Sequence, residues 1–128
     1  MKAYDIEIIL SRQLAETLSI AMFIIDTEGS LLFYNEPAEE ILGKKFEDTG
    51  VMSVEVWGTI FKPLDDKGNA LKPDDLPLVK TLNSRLPAHG SFWIESLKGE
   101  KYNISVNSFP LIGRGNRFVG AVAIFWEI

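Results

Sequence analysis

The chain has 128 residues and contains no cysteine. Without thiols it can form no disulfide framework, thiolate metal site, cysteine nucleophile or cysteinyl photoadduct. Its apolar runs all fall short of the roughly 20 residues that a membrane-spanning helix requires. The net charge is −5, whereas nucleic-acid binding normally needs a basic surface. These features predict one domain with no membrane contact and no nucleic-acid partner, and they favour a cytoplasmic location.

Residues that could support catalysis or bind a metal are also scarce. The only histidine is His89. It is a formal candidate for an axial haem ligand, but we interpret it as a turn residue that precedes a strand. The paired carboxylates at 39–40, 65–66 and 74–75 fall in predicted turns, caps or exposed helix faces, where no second group converges on them. We therefore predict that the chain is not an enzyme and has no metal site.

The segment 20–43 predicts a strand, a tight turn, a second strand and a short helix. Residues 20–25 and 31–34 are short apolar runs of the kind found in strands. Gly29 lies between them and can adopt the positive φ that a tight connection requires. Asn35 can cap the following helix, since its side chain accepts a backbone N–H, and Pro37 suits the first helical turn.

We divide the chain into an N-terminal helical segment at 1–18 and a main domain at 19–128, and within the first segment residues 4–18 predict an amphipathic helix. Apolar residues recur at three- and four-residue steps on more than one side, so the helix needs more than one partner surface. It can cover the outer face of a sheet, pair with a second copy of itself, or do both. The candidate dimerisation residues are Ile6, Ile9, Leu10 and Leu14.

The remaining chain predicts helical segments followed by three strands. Residues 46–58 are interpreted as a loop with short helical turns, and residues 76–83 as a helix capped by Asp74 or Asp75. The three strands are expected at 91–97, 102–109 and 118–128. The last is apolar along nearly its whole length, which is typical of a strand buried on both faces. The resulting class is α+β, with the helices on one face of an antiparallel sheet.

Three motif groups resemble the PAS domain family over roughly residues 12–128. They are Asp26-Thr27-Glu28-Gly29 followed by Asn35, Ala38 and Gly43; the segment from Asp65 to Leu82; and Ser108-Phe109-Pro110-Leu111 followed by Gly120-Ala121-Val122 and Phe125-Trp126-Glu127-Ile128. The resemblance implies a five-stranded antiparallel sheet of order 2-1-5-4-3, with helices forming a pocket against one face. It also implies that the N-terminal helix packs on the other face and pairs two copies.

The functional expectation from this resemblance is a non-catalytic sensory or regulatory module of signal transduction, as in two-component systems. Such a module senses a small ligand, or forms a homodimer and transmits a signal to a downstream domain or protein. Family members often continue into a signalling helix after the last strand. We therefore expect either a module of a longer sensor or a chain that acts alone on its partners. The alternative function is a carrier domain for haem, flavin or another small molecule.

The pocket candidates are apolar residues predicted to lie between the sheet and the helices. They are Ile24, Leu32, Tyr34, Ile41, Phe46, Trp57, Phe61, Leu78, Leu82, Phe92, Ile104, Val106, Ala123 and Phe125. Several are bulky aromatics, and an empty void costs about 24 cal/mol per Å³. We therefore expect a small or closed pocket first, and a small ligand of apolar or mixed polarity second.

No cofactor is expected, although a non-covalent flavin is an alternative. In that arrangement Trp57, Trp93, Asn103 and Asn107 would stack against the ring and form hydrogen bonds with it. Aromatic residues at alternating strand positions more often belong to a packed core. We therefore favour a packed core in which Trp93 covers an outer face.

Overall fold

The computed structural model describes residues 5–128. Within this range five strands form one antiparallel sheet of order β2-β1-β5-β4-β3. The strands are β1 (Ala21–Ile25), β2 (Leu31–Tyr34), β3 (Ala88–Glu95), β4 (Lys101–Ile112) and β5 (Phe118–Glu127). The helices are α1 (Ile6–Thr17), α2 (Glu36–Leu42), α3 (Phe46–Thr49), α4 (Val54–Ile60) and α5 (Pro77–Ser84), with 3₁₀ turns at Pro73–Asp75 and Arg114–Asn116. The α+β class is the one that the sequence predicts, and the strand order is the one that the resemblance to the PAS family implies.

The turn between β1 and β2 is closed by Asp26. Its side-chain oxygen accepts backbone N–H groups from Glu28 and Ser30 at 2.9 and 3.0 Å. Gly29 has a φ of 87°, a conformation that most other residues adopt only at a cost. These interactions bring β2 back beside β1 in the predicted hairpin.

The sheet is covered on both faces, because successive side chains of a strand point to opposite sides. In β1, Ala21, Phe23 and Ile25 belong to the core beneath α2, α4 and α5, which we call the helical-side core. Met22 and Ile24 belong to a second core, which we call the α1-side core. Strand β5 contributes to both cores, as predicted for a central strand.

The boundaries differ from the prediction at several points. Neither Asp74 nor Asp75 caps α5: the N-cap is Leu76, and the Asp75 carboxylate accepts the backbone N–H of Lys72 at 3.2 Å. His89 lies inside β3 rather than in a turn, opposite Asn107. The predicted start of the first helix, residue 4, lies outside the described residues.

No helix within 5–128 has both the length and the hydropathy needed to cross a bilayer.

Candidate functional site

An apolar cavity of about 80 Å³ lies within the helical-side core. Strands β1, β3, β4 and β5 form its floor, and α2, α4, α5 and the segment before α5 form its roof. The lining residues are Phe23, Leu42, Trp57, Phe61, Pro63, Leu76, Pro77, Leu78, Phe92, Ile94, Ile104, Val106, Ala123 and Phe125. Every one of these side chains is a hydrocarbon apart from the Trp57 indole.

Aromatic packing fills the space beside the cavity at the β1–β2 end of the sheet. The ring of Phe23 stacks on that of Tyr34, with a centroid distance of 5.9 Å and an interplanar angle of 10°. Trp57 meets Phe23 edge-on at 5.3 Å, and Phe46 meets Tyr34 edge-on at 5.4 Å. The cavity therefore lies toward the side of the core formed by β3, β4 and β5, with Phe23 and Trp57 at its boundary.

The structure brings together most, but not all, of the predicted pocket residues. Those that line the cavity are Trp57, Phe61, Leu78, Phe92, Ile104, Val106, Ala123 and Phe125. Tyr34, Ile41, Phe46 and Leu82 lie in the same core without lining it. The placement of Ile24 and Leu32 in the pocket is wrong, because both side chains point into the α1-side core. Whether a ligand contacts the lining residues stays a prediction.

Sequence reasoning missed six lining residues: Phe23, Leu42, Pro63, Leu76, Pro77 and Ile94. Phe23 precedes Ile24 in β1, and successive side chains of a strand point to opposite faces. Phe23 therefore occupies the cavity side on which Ile24 was predicted to lie. Ile94 shares a face with Phe92, so the alternation of β3 was the signal for it. Leu42 is the last residue of α2, Pro63 and Leu76 lie in the irregular chain before α5, and Pro77 is the first residue of α5. None of the four was selected from the sequence as a pocket residue.

The four residues of the flavin alternative are not brought together. Trp57 lines the cavity, whereas the alternation of β3 and β4 places Trp93, Asn103 and Asn107 on the opposite face of the sheet. The proposed stacking arrangement is therefore wrong. In the part of the chain that the structure describes, no cluster of three or more His, Cys, Asp or Glu could hold a metal ion.

The buried polar groups around the cavity already have partners. The Trp57 Nε1–H donates to the Gly29 carbonyl at 2.7 Å. The hydroxyls of Thr81 and Ser108 are 2.7 Å apart and hydrogen-bonded, and Ser108 also donates to the Pro77 carbonyl at 2.9 Å. These bonds tie α5 to β4 and satisfy groups that would otherwise be buried at a cost.

Tyr34 directs its hydroxyl away from the cavity. The hydroxyl donates to the Lys44 carbonyl at 2.9 Å and lies 3.4 Å from the Thr49 hydroxyl. Burial raises the pKa of Tyr34 above its ordinary value, an effect that the hydrogen bond with Thr49 opposes. The phenol is therefore neutral near pH 7 and serves as a donor that anchors the segment after α2.

Asn35 joins the two faces of the sheet through one buried side chain. Its Oδ1 accepts the backbone N–H of Met22 at 2.9 Å and that of Ala38 at 3.3 Å, which is the predicted cap of α2. Its Nδ2 donates to the carbonyls of Ala15 and Ile20, each at 2.9 Å. A single amide thus connects α1, the α1–β1 connection, β1 and α2.

Helix α1 has one side packed on the sheet and an apolar side that faces outward. Ile8 and Ala15 are buried in the α1-side core. The four predicted dimerisation residues are exposed: Ile6 at 64%, Ile9 at 46%, Leu10 at 55% and Leu14 at 53%. We call these four residues the outward face of α1.

Two contacts fix the position of α1 besides its apolar packing. The Arg117 guanidinium pairs with the Asp5 carboxylate just before the helix at 2.5 Å, and this partner raises the pKa of Arg117 above its ordinary value. The Arg12 guanidinium lies 4.5 Å above the centroid of the Phe33 ring, within cation–π distance. Helix α1 is therefore held at both the β4–β5 connection and β2.

Comparisons with known proteins agree with this architecture. A family model described as a PAS domain matches residues 10–81, while no curated protein matches the chain significantly. Among solved structures, a PAS domain from Colwellia psychrerythraea is 18% identical, with a TM-score of 0.66 over 97% of this chain and 98% of that one. The LOV protein of Rhodobacter sphaeroides is 12% identical, with a TM-score of 0.74 over 97% and 68%. The PAS domain of an HTR-like protein from Haloarcula marismortui is 17% identical, with a TM-score of 0.63 over 96% and 94%.

These structural likenesses are below the identity at which function transfers, and they establish the fold alone. The family match is independent of them, spans more than half of the chain, and runs from within α1 to within α5. The strand order, the helical-side core and the sequence match converge on one conclusion: the chain belongs to the PAS domain family.

Proposed function

We propose that the chain is a non-catalytic, cytoplasmic sensory module that signals as a homodimer through the outward face of α1. The observation that carries this proposal is the exposure of four large apolar side chains on a helix whose other side is already packed. A helix that is apolar on two sides needs two partner surfaces, and the sheet provides only one. The second surface is the same face of α1 on another copy.

The size of this face supports a reversible dimer. Burying a Leu or Ile side chain completely contributes about 1.5–3 kcal/mol, so completing the burial of a half-exposed one adds about 1 kcal/mol. Four side chains from each of two copies then contribute roughly 8 kcal/mol. Association itself costs an estimated ~4–15 kcal/mol, so we expect a dimer that forms and dissociates with concentration.

The experiment is sedimentation velocity or light scattering at high micromolar concentration. We expect the full chain to dimerise and the Leu10→Glu/Leu14→Glu variant to be monomeric, because four carboxylates, two from each copy, would meet at the interface. The matched control is Leu86→Glu/Leu97→Glu, which places the same charges at two other exposed leucines and should leave the dimer intact. A full chain that stays monomeric, or a control that dissociates equally, would refute the proposed interface.

A route from the cavity to α1 supports the sensory part of the proposal. Phe23 and Leu42 line the cavity from β1 and α2, and Asn35 bonds to the backbone of both elements. The same amide bonds to Ala15 in α1. A change in the packing of the cavity that moves β1 or α2 would therefore change the angle of α1 at the dimer interface.

The carrier function is tested by the same preparation. A haem or flavin carrier would be coloured when freshly purified, whereas the proposed module has no visible absorbance and has the mass of the polypeptide alone in native mass spectrometry. A bound chromophore would replace the proposed function with the carrier function.

A further inference from the structure

The lining of the core cavity has the chemistry of a hydrocarbon. The one lining group with a polar hydrogen, the Trp57 indole, already donates to Gly29. The nearby hydroxyls of Thr81 and Ser108 bond to each other, and neither residue lines the cavity. A polar guest would lose its hydrogen bonds to water and regain none from the described residues of this lining.

The volume sets the size of a guest. The cavity has a volume of about 80 Å³. An engineered apolar cavity of about 150 Å³ stays dry and binds benzene or xenon. The cavity of this chain is about half that size, so it suits a guest smaller than benzene, and a flavin or haem ring system is far too large for it.

We propose that this cavity is a binding site for a small, wholly apolar guest of about three heavy atoms, such as a short hydrocarbon or a nonpolar gas. The inference deepens the proposed sensory function by giving the chemical class of the signal, and it rests on that function only for its biological meaning. Binding itself depends on the cavity alone. A guest would make dispersion contacts that the unfilled space lacks, and an apolar lining offers water no hydrogen-bond partner that the guest would have to replace.

The site also contains elements that a guest can bias. Leu42 is the last residue of α2, and Leu78 lies in the first turn of α5. Both line the cavity opposite Val106 and Ala123 of the sheet. A guest in contact with all four side chains favours one spacing between the helices and the sheet. This is how occupancy would reach β1 and α2, and through Asn35 would reach α1.

The test compares two probes of equal size by methyl-detected NMR on the full chain. Propane and ethanol each have three heavy atoms and differ in one hydroxyl. We expect propane to give saturable shifts at the methyl groups of Leu42, Leu78 and Val106 that are larger than any shifts transmitted to Ile24 and Leu32 in the α1-side core. Ethanol should bind at least about tenfold more weakly. Equal binding of both probes, or no saturable shift with propane, would overturn the proposal.

Variants locate the site by its volume. Ala123→Val fills the cavity and should abolish the propane shifts, and Val106→Ile is the alternative if the first variant does not fold. Leu78→Ala enlarges the cavity and should admit benzene, with shifts at Leu42. The matched control is Leu32→Ala, the same truncation at a buried leucine of the α1-side core. It should give no benzene shifts at Leu42, and shifts there would contradict the proposed site.

Sedimentation of the same samples separates this inference from the proposed function. A dimer that persists without propane binding refutes the guest class and leaves the dimer interface standing. Propane binding to a chain that stays monomeric supports the guest class and refutes the interface. Both proposals are supported together if propane binds and shifts the dimerisation constant of the wild-type chain.

Discussion

Replacing Asn35 by aspartate tests the connection between the two faces of the sheet with almost no change of shape. The carboxylate keeps the oxygen that accepts the N–H groups of Met22 and Ala38. The substitution removes the Nδ2 group, whose two N–H groups donate to the carbonyls of Ala15 and Ile20 in the wild type. Because Asn35 is only 3% exposed, water cannot replace those donors without opening the structure.

The cost follows from what happens to the two carbonyls. Leaving a buried acceptor without a partner costs about 1–3 kcal/mol. The Ala15 carbonyl also accepts the Leu18 N–H at 3.3 Å, so its loss lies at the lower end of that range. The Ile20 carbonyl would also lose its donor, and a negative charge would be buried among hydrogen-bond acceptors. With these two further costs, we expect Asn35→Asp to lower the free energy of unfolding by at least about 3 kcal/mol.

The pH dependence of this loss identifies the buried charge. Burial and the neighbouring carbonyls raise the pKa of the new carboxyl in the folded state above its unfolded value. The folded state therefore binds the proton more tightly, so the loss is largest at pH values above the folded pKa. It shrinks as the pH falls from the folded pKa toward the unfolded value of about 4. It is smallest below that value, where the carboxyl is protonated in both states and can donate to one carbonyl.

Urea denaturation of the wild type and the variant across this pH range measures both effects. The control is Asn83→Asp, an identical change at an exposed position in the last turn of α5, which should cost less than about 1 kcal/mol. Hydrogen exchange should show the loss of protection spreading along α1. A loss below about 1 kcal/mol for Asn35→Asp, or one that does not change with pH, would refute this account of the amide.

Three further predictions address the backbone and one exposed turn. Gly120→Ala places a Cβ 2.4 Å from the Ile25 carbonyl oxygen, so we expect a loss above about 3 kcal/mol in urea denaturation. Gly58→Ala lies in α4 with no contact closer than 3.5 Å and should stabilise the chain by roughly 0.5–1 kcal/mol in the same assay. The backbone N–H of Asn69 is the chief cause that lowers the pKa of the Asp65 carboxyl below its ordinary value of 3.8. The stability that the Asp65 carboxylate contributes is therefore complete above pH 3.8 and is lost as the pH falls through the lowered, folded-state pKa. We expect the exchange protection of the Asn69 amide to fall over the same pH range.

The accuracy of the pocket prediction depended on whether a strand carries polar residues. Strand β4 alternates between apolar residues such as Ile104 and Val106 and polar ones such as Asn103 and Asn107, so its inner face was identified correctly. Strand β1 is buried at all five positions, and no polar side chain marks its outer face. Periodicity then yields two equivalent faces, and the choice of Ile24 over Phe23 was wrong for this reason.

The roof of the cavity was beyond prediction for a different reason. Pro63 and Leu76 belong to a segment without regular periodicity that leads to Pro77 at the start of α5, and their burial depends on contacts distant in sequence. Leu64 pairs with Trp93 of β3 through backbone hydrogen bonds of 2.7 and 2.9 Å. This bridge holds the segment against the edge of the sheet, and local sequence contains no signal for such a pairing.

The same limit applied to Asn35, and it explains why the residue matters. The sequence predicts the cap of α2, because a cap depends on residues only three positions apart. The bonds to Ala15 and Ile20 exist only once α1 has folded against the far side of the sheet, so they belong to the tertiary structure. Asn35 is the one buried side-chain amide between the helical-side core and the α1-side core among residues 5–128. The signal that we propose to start in the cavity would therefore have its most direct polar route to α1 through this residue.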